Sequence, residues 1–167
     1  MTSTQLRRIL LSAVLGCLLG LARFSAAAAD APVTGGPFRQ EGTVPLADCG
    51  SFQVLDRYEL NYTTKLYFDK EGTLVKIVDH AWGTDVLVNS VTGEEYPIRF
   101  HNNVIIDPPA NRGAVVGVLF RLTIPGEGAV FLDVGRFVQD RAGTVYFQAG
   151  PHQAIDGDFA SLCKALA

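Results

Sequence analysis

The chain of 167 residues is long enough for one domain, because two domains of this total length would each bury too little surface. Apolar residues make up 48% of it and charged residues 19%, which is a globular composition and excludes a disordered chain. The formal net charge of −3 provides no basic surface for nucleic acid and no polybasic run for an anionic membrane.

Residues 1–29 have the three parts of a cleaved secretion signal. Arg7 and Arg8 supply the positive charge, and an apolar run follows over residues 9–21. The small residues 26–29 then offer a cleavage site, so we expect cleavage before Asp30 and export by the general secretory route. The apolar run is shorter than the roughly 20 residues of a stable membrane span, so we predict a secreted, extracellular protein.

Two alternatives for export stay open. The arginine pair also resembles the start of a twin-arginine signal, although Leu6 stands where a polar residue is usual. Residues 14–17 (VLGC) resemble a lipoprotein box in which Cys17 would carry the lipid. The apolar sequence that continues beyond Cys17 favours the cleaved signal over the lipid anchor.

Residues 30–48 (DAPVTGGPFRQEGTVPLAD) hold three prolines and three glycines and show no apolar periodicity. Such a composition is typical of irregular structure, so we predict a flexible leader that is loosely attached to the rest. A single folded domain is then expected over residues 49–167.

From Phe52 onward, β-branched and aromatic runs alternate with turn residues at a spacing of roughly ten residues. This pattern predicts an all-β domain, an antiparallel meander of about eight strands, followed by a short C-terminal helix over residues 158–166. The strands are expected at residues 52–60, 63–69, 73–81, 85–91, 95–106, 114–124, 129–138 and 144–149. We favour a barrel over a sandwich, because closure leaves no strand edge unpaired.

The cysteine count predicts a disulfide. Loss of the signal leaves only Cys49 and Cys163, and an exported chain meets an oxidising environment. Closing a loop of about 115 residues is worth on the order of 4–5 kcal/mol in chain-entropy models. A catalytic or metal-binding thiol would need a neighbouring cysteine or histidine, which both cysteines lack. We therefore predict that Cys49 and Cys163 tie the two ends of the domain together.

Alternate residues of a strand face the same side of the sheet, which assigns neighbours from sequence. The even-numbered residues of 114–124 are all apolar and are expected to face the core together. Asp56 and Asp133 each share a face with aromatic side chains, Tyr58 in the case of Asp56. A carboxylate there must be paired or keep its proton, so each is an ion-pair member, a general base or an anchor for a cationic ligand. The arginines available as partners are Arg99, Arg121 and Arg136.

His80 and Trp82 share one face of their strand and form a second candidate ligand contact. The three histidines lack the spacing of two or four residues that brings metal ligands together, so we predict no metal site and no cofactor. Motifs for a nucleophile elbow, a phosphate-binding loop or an EF-hand are missing from the sequence. No catalytic residue is identified, and the candidate ligand-binding set consists of Asp56, Tyr58, His80, Trp82 and Asp133.

Several short blocks occur together in order along the chain: DCGSF (48–52), NSVTG (89–93), FHNNV (100–104), FLDVGRF (131–137), VYFQAGPH (145–152) and the final Leu162-Cys163. With them, the sequence over residues 50–166 resembles small exported β-rich proteins of actinobacteria and their relatives. The resemblance implies an exported bacterial β-domain and no activity, since no catalytic residues are assigned in that group. Eight-stranded meanders also invite comparison with lipocalin-like and allene-oxide-cyclase-like barrels, but a shared fold does not establish function.

Three functions fit these patterns. The leading hypothesis is a secreted, disulfide-stapled β-barrel that binds a small apolar or amphipathic ligand, because eight strands enclose room for one such molecule. The second is a cofactor-free cyclase or isomerase that polarises its substrate with Asp56, Tyr58, His80 or Asp133. The third is a non-catalytic surface or interaction module whose core is filled by its own side chains.

Overall fold

The computed structural model describes residues 31–167, so the predicted signal peptide and its cleavage site lie outside the described residues. Seven antiparallel strands form one sheet, in which each strand pairs with the next along the chain. The strands are β1 (Val33–Asp48), β2 (Gln53–Phe68), β3 (Leu74–Asn89), β4 (Glu95–Asp107), β5 (Arg112–Ile124), β6 (Gly128–Asp140) and β7 (Val145–Ala149). Two short helices follow, α1 (Gln153–Asp156) and α2 (Ala160–Ala165). The predicted all-β antiparallel meander is confirmed.

The predicted flexible leader is wrong, because residues 30–48 contain the whole of an edge strand, β1. Strand β1 pairs with β2 along its length, apart from irregularities between Gly35 and Phe38 and between Pro45 and Ala47. Prolines cannot donate to a sheet ladder, but an edge strand tolerates them where the missing N–H would face outward or where a bulge interrupts pairing. The glycines and prolines of this segment therefore made the strand hard to predict, because its alternation of apolar and polar residues is weak.

The predicted count of eight strands is also wrong. The predicted strands 52–60 and 63–69 form one strand of 16 residues, β2. The predicted strands 73–81 and 85–91 likewise form one strand of 16 residues, β3. The predicted joints at 61–62 and 82–84 instead continue the ladder, in which Asn61 pairs with Trp82 and Leu60 with Gly83. Joining these two pairs reduces eight predicted strands to six, and β1 brings the number to seven.

The sheet is open. Within residues 31–167 its two edges are β1 and β7, and the order runs from one to the other without a pairing that would close a barrel. The predicted barrel is therefore not supported. The edges are protected by other means, since β7 has five residues and β1 carries two prolines and the exposed charges of Arg39 and Glu41.

One face of the sheet, here called the inner face, holds the core. The two helices pack against β6, and Leu162 and Leu166 are fully buried there. The core comprises Leu46, Ala47, Phe52, Val54, Leu87, Ile98, Val115, Leu119, Phe120, Leu122, Phe131, Phe137, Ala154, Ile155, Leu162 and Leu166. No helix within the described residues has the length and apolar character needed to cross a membrane.

A β-bulge corrects the expected core face of β5. Register shifts between Val118 and Phe120, so the odd-numbered Leu119 and the even-numbered Phe120 are both buried. Val115 lies in the core on the near side of the bulge, and Leu122 lies there on the far side. The extra residue reverses which parity faces inward.

The C-terminal segment is fastened to the start of β2 and the end of β3. The predicted disulfide between Cys49 and Cys163 is confirmed, with Cα atoms 5.5 Å apart. Asn89 is buried and donates from its side-chain amide to the carbonyl of Leu166 at 2.7 Å. Its amide oxygen accepts from the backbone N–H of Val91 at 2.8 Å. The disulfide and the hydrogen bond from Asn89 to Leu166 hold α2 over the inner face.

Candidate functional site

Asp133 and His152 form a fully buried pair between β6 and the segment that leads into α1. His152 Nδ1 lies 2.9 Å from Asp133 Oδ1, and its Nε2 lies 3.1 Å from the carbonyl oxygen of Ala149. A carbonyl only accepts, so Nε2 carries a proton. The second oxygen of Asp133 accepts from the backbone N–H of Ile155 at 3.1 Å. Both carboxylate oxygens and both ring nitrogens are thus engaged inside the protein.

This pair clamps the C-terminal segment to the sheet. An isolated bridge joins Asp133 to His152, and the backbone N–H of Val134 donates to the carbonyl of Pro151 at 2.8 Å. Burial raises the pKa of the Asp133 carboxyl, while the hydrogen bond from His152 opposes that change. The partner of Asp133 is a histidine and not one of the three arginines expected from sequence, all of which are exposed. Asp133 leaves no free oxygen for a ligand.

His80 and Trp82 lie on the opposite, outer face of the sheet. Both side chains are exposed, with their ring centroids 5.4 Å apart. His80 Nδ1 lies 3.2 Å from the amide oxygen of Asn103, and His101 is the direct cross-strand neighbour of Trp82. These two predicted contacts therefore stay together but are separated by the sheet from Asp56 and Tyr58.

Asp56 and Tyr58 lie on the inner face with a further carboxyl that sequence analysis did not single out, Asp85. Asp56 pairs with Leu87 across β2 and β3, and Tyr58 pairs with Asp85. Asp56 and Asp85 are therefore diagonal neighbours on one face, with Cα atoms about 7–8 Å apart for this type of position. Asp56 is 7% exposed and Asp85 is 4% exposed. We call Asp56 and Asp85 the acid pair.

The acid pair has no counter-ion among residues 31–167. Burial raises the pKa of Asp56 to about 7. Burial, followed by the charge of Asp56, raises the pKa of Asp85 to about 8. The Oδ1 atom of Asp56 is buried and lacks a hydrogen-bond partner in the described part of the chain. Because burial disfavours each charge and two carboxylates this close resist ionising together, the pair retains about one proton at a pH midway between these two pKa values.

Aromatic rings cover glycines beside the acid pair. Tyr58 lies over its cross-strand partner Gly42, where a Cβ atom would come 2.8 Å from the tyrosine Oη. Phe100 lies over Gly83 in the same way, with a ring carbon 2.7 Å from the Cβ position. Tyr58 and its neighbour Leu60 are half-buried, so part of the inner face beside the buried carboxyls reaches solvent.

A third buried acid, Asp79, lies farther along the inner face of β3. Its Oδ1 accepts from the hydroxyl of Thr64 at 2.6 Å, so it has a protein partner. Burial raises the pKa of Asp79, and this hydrogen bond opposes the change. Asp85 was missed because β3 was divided into two predicted strands, whereas Asp79 lies within the predicted strand 73–81 and was not singled out. Reading one continuous strand places Ile77, Asp79, Asp85 and Leu87 on a single face.

A polar pocket of about 370 Å³ lies elsewhere, between the β5–β6 turn and the helices. Its lining includes Glu127, Val130, Gln153, Ser161 and Lys164. Gln153 is already occupied, since its oxygen accepts from Leu132 N–H at 2.7 Å and its nitrogen lies 3.2 Å from the Ser161 hydroxyl. Within residues 31–167, no cluster of three or more histidine, cysteine or acidic side chains is arranged to hold a metal ion.

The described chain is thus a single-sheet antiparallel β-domain with a buried acid pair on its inner face. No protein-family model, no curated protein and no solved structure matches this chain.

Proposed function

We propose that the protein is a non-catalytic binding domain that holds a small amphipathic molecule against its inner face. The observation that carries the proposal is the buried Oδ1 of Asp56, which has no hydrogen-bond partner within residues 31–167. Leaving such a group unsatisfied costs about 1–3 kcal/mol, and more for a charged group. A ligand that donates a hydrogen bond to this atom would recover that cost.

The surroundings of the acid pair suit an apolar body attached to the polar group. Leu60, Gly83 and Phe100 form the next row of the inner face, in register across β2, β3 and β4. Leu60 and Gly83 are half-buried, which leaves apolar surface beside the carboxyls within reach of solvent. Binding sites for small molecules commonly combine apolar walls with a few polar anchors in this way.

We also propose that the domain acts outside the cytoplasm. Its disulfide is consistent with an extracellular location, because such bonds persist in oxidising compartments. The signal-like N-terminus and the resemblance to exported actinobacterial proteins support the same assignment.

The proposal is tested by native and denaturing mass spectra of protein purified from its own culture medium. We expect an added mass that disappears on denaturation, and we expect the Asp56→Asn and Asp85→Asn double variant to lose it. The matched control is Trp82→Ala on the outer face, which should keep the added mass. A bare chain, or a mass lost only in the Trp82 variant, would contradict inner-face binding.

A cofactor-free isomerase is a second candidate, because Asp56, Tyr58 and Asp85 share one face. Raising the pKa of Asp56 to about 7 gives the group the proton affinity of a general base at neutral pH. Exchange of substrate hydrogen with deuterated solvent, measured on any ligand recovered from the protein, separates the two functions. Enzyme-dependent deuterium uptake would favour the isomerase, and none would favour binding alone.

A further inference from the structure

We propose that the acid pair binds the protonated amine of its ligand in exchange for a proton that the pair holds when it is empty. This inference rests on the proposed binding function and names its ligand class, an organic ammonium with an apolar body. The exchange is balanced in charge and atoms. One carboxylic acid and one carboxylate receive an ammonium, and the displaced proton leaves to solvent.

The first support is that the described residues place no cation beside the acid pair. Every lysine and arginine in residues 31–167 is exposed. Two of the basic groups on the neighbouring strands have acidic partners on the outer face, with Arg57 at 2.9 Å from Glu95 and Arg39 at 3.2 Å from Glu59. No residue from 31 to 167 therefore supplies the positive charge that would neutralise the acid pair, and a cationic ligand can supply it.

The second support is the uncharged lining around the pair on each adjacent strand. In register with Asp56 stand Val44 on β1, Leu87 on β3 and Tyr96 on β4. In register with Asp85 stand Gly42, Tyr58 and Ile98. Tyr58 and Tyr96 are the titratable groups in these two rows apart from the acids, and neither tyrosine provides a positive charge.

The third support is that an ammonium meets two needs that a neutral donor meets only in part. A hydroxyl group can satisfy the orphaned Oδ1 of Asp56, but it cannot offset a second negative charge in a buried site. An ammonium has three donors and a full positive charge. It can therefore satisfy that oxygen and stabilise the doubly ionised pair.

Isothermal titration calorimetry of the full mature chain tests the exchange. The probe is phenethylamine, and 2-phenylethanol is its neutral control of nearly the same shape. Titrations in phosphate and in Tris, whose ionisation enthalpies differ, report the protons released. We expect about one proton per bound amine at pH about 7.5, midway between the two pKa values of about 7 and about 8, and an affinity that rises about tenfold per pH unit around that pH. The alcohol should bind at least about tenfold more weakly.

Variants separate the pair from general effects on the fold. Asp56→Asn and Asp85→Asn each remove one of the two acids, so amine binding should weaken and should release fewer protons at pH about 7.5 than in the native chain, and the double variant should release none. Asp79→Asn, which alters the buried acid that bonds to Thr64, should leave the proton release unchanged. Thermal unfolding of each variant confirms that the domain is folded.

The outcomes distinguish this inference from the binding function beneath it. Equal binding of amine and alcohol that is lost in the double Asn variant would keep inner-face binding and overturn the ammonium exchange. Amine binding with heats independent of the buffer would also overturn the exchange. If neither probe binds at concentrations up to about 10 mM, the exchange is overturned. A bare chain in the native mass spectra would overturn the binding function as well.

Discussion

The molecule contains two buried acidic sites that differ in how their charge is satisfied. Asp133 lies against His152 and a backbone N–H, so each of its oxygens has a partner. Asp56 lies beside Asp85, a second acid, and one of its oxygens has none within residues 31–167. Both sites are buried, with Asp133 at 0% exposure and Asp56 at 7%. The comparison teaches that burial alone does not distinguish a structural carboxyl from a binding one, whereas the partner does.

Removing the satisfied acid should give the largest loss of stability. Asp133→Ala leaves His152 buried without its partner and frees the N–H of Ile155. Breaking a buried pair in this way costs about 3–5 kcal/mol, so urea unfolding should show that loss. At the other site, Asp56→Asn should leave the free energy of unfolding unchanged or raise it, because it removes a buried acid without a counter-ion. Equal losses in both variants would contradict the contrast between the sites.

Opening the disulfide should give the next largest effect. The double variant Cys49→Ser and Cys163→Ser frees the C-terminal segment from the start of β2, which we expect to cost about 2–4 kcal/mol in chemical unfolding. Added to Asp133→Ala, it removes two fastenings of the same segment, so the two losses should not be additive. Strict additivity would show that the clamp and the disulfide act on separate units.

The pH dependence of stability should distinguish the acid pair directly. Both of its pKa values are raised on folding, to about 7 and about 8 from 3.8. The folded state therefore binds more protons, and the stability that these acids contribute is complete below pH 3.8 and lost as the pH rises through 7 and 8.

The measurement is the free energy of unfolding from pH about 6.5 to 9, in the native chain and in the Asp56→Asn and Asp85→Asn double variant. The native chain should lose on the order of 2–3 kcal/mol relative to the variant across this range. Parallel curves would show that the acid pair does not hold its proton in the folded state.

The smallest effect is expected on the outer face. Trp82→Ala removes an exposed ring that contacts His80, so the free energy of unfolding should change by no more than about 0.5 kcal/mol. The free energy of unfolding of the Trp82→Ala variant should depend on pH in the same way as that of the native chain. A loss of several kcal/mol would mean that the outer face contributes to the core.

Part of this arrangement follows from sequence. Alternation predicted the antiparallel meander, and the pair of cysteines predicted the disulfide, because both depend on local patterns and simple counts. Strand β1 was missed because proline and glycine conceal a strand at a sheet edge. The bulge in β5 was missed because one extra residue inverts a face without leaving a mark in composition.

The acid pair was only half visible. The apolar neighbours of Asp56 identify it as a candidate. Asp85 is the first residue of the predicted strand 85–91, so it was not assigned to a face. Their proximity depends on the register of β2 against β3, which period-two patterns do not specify. The partner of Asp133 could not be predicted either, because His152 lies beyond the last strand and reaches β6 through a turn.

The most direct test of the central claim is a carboxyl-carbon NMR titration of Asp56 and Asp85 in the ligand-free protein. The account predicts that both carboxyls hold their protons at pH about 5 and release them between pH about 6 and 9. Titration of both inner-face carboxyls near pH 4 would show that they are ionised without a ligand, and it would contradict the account.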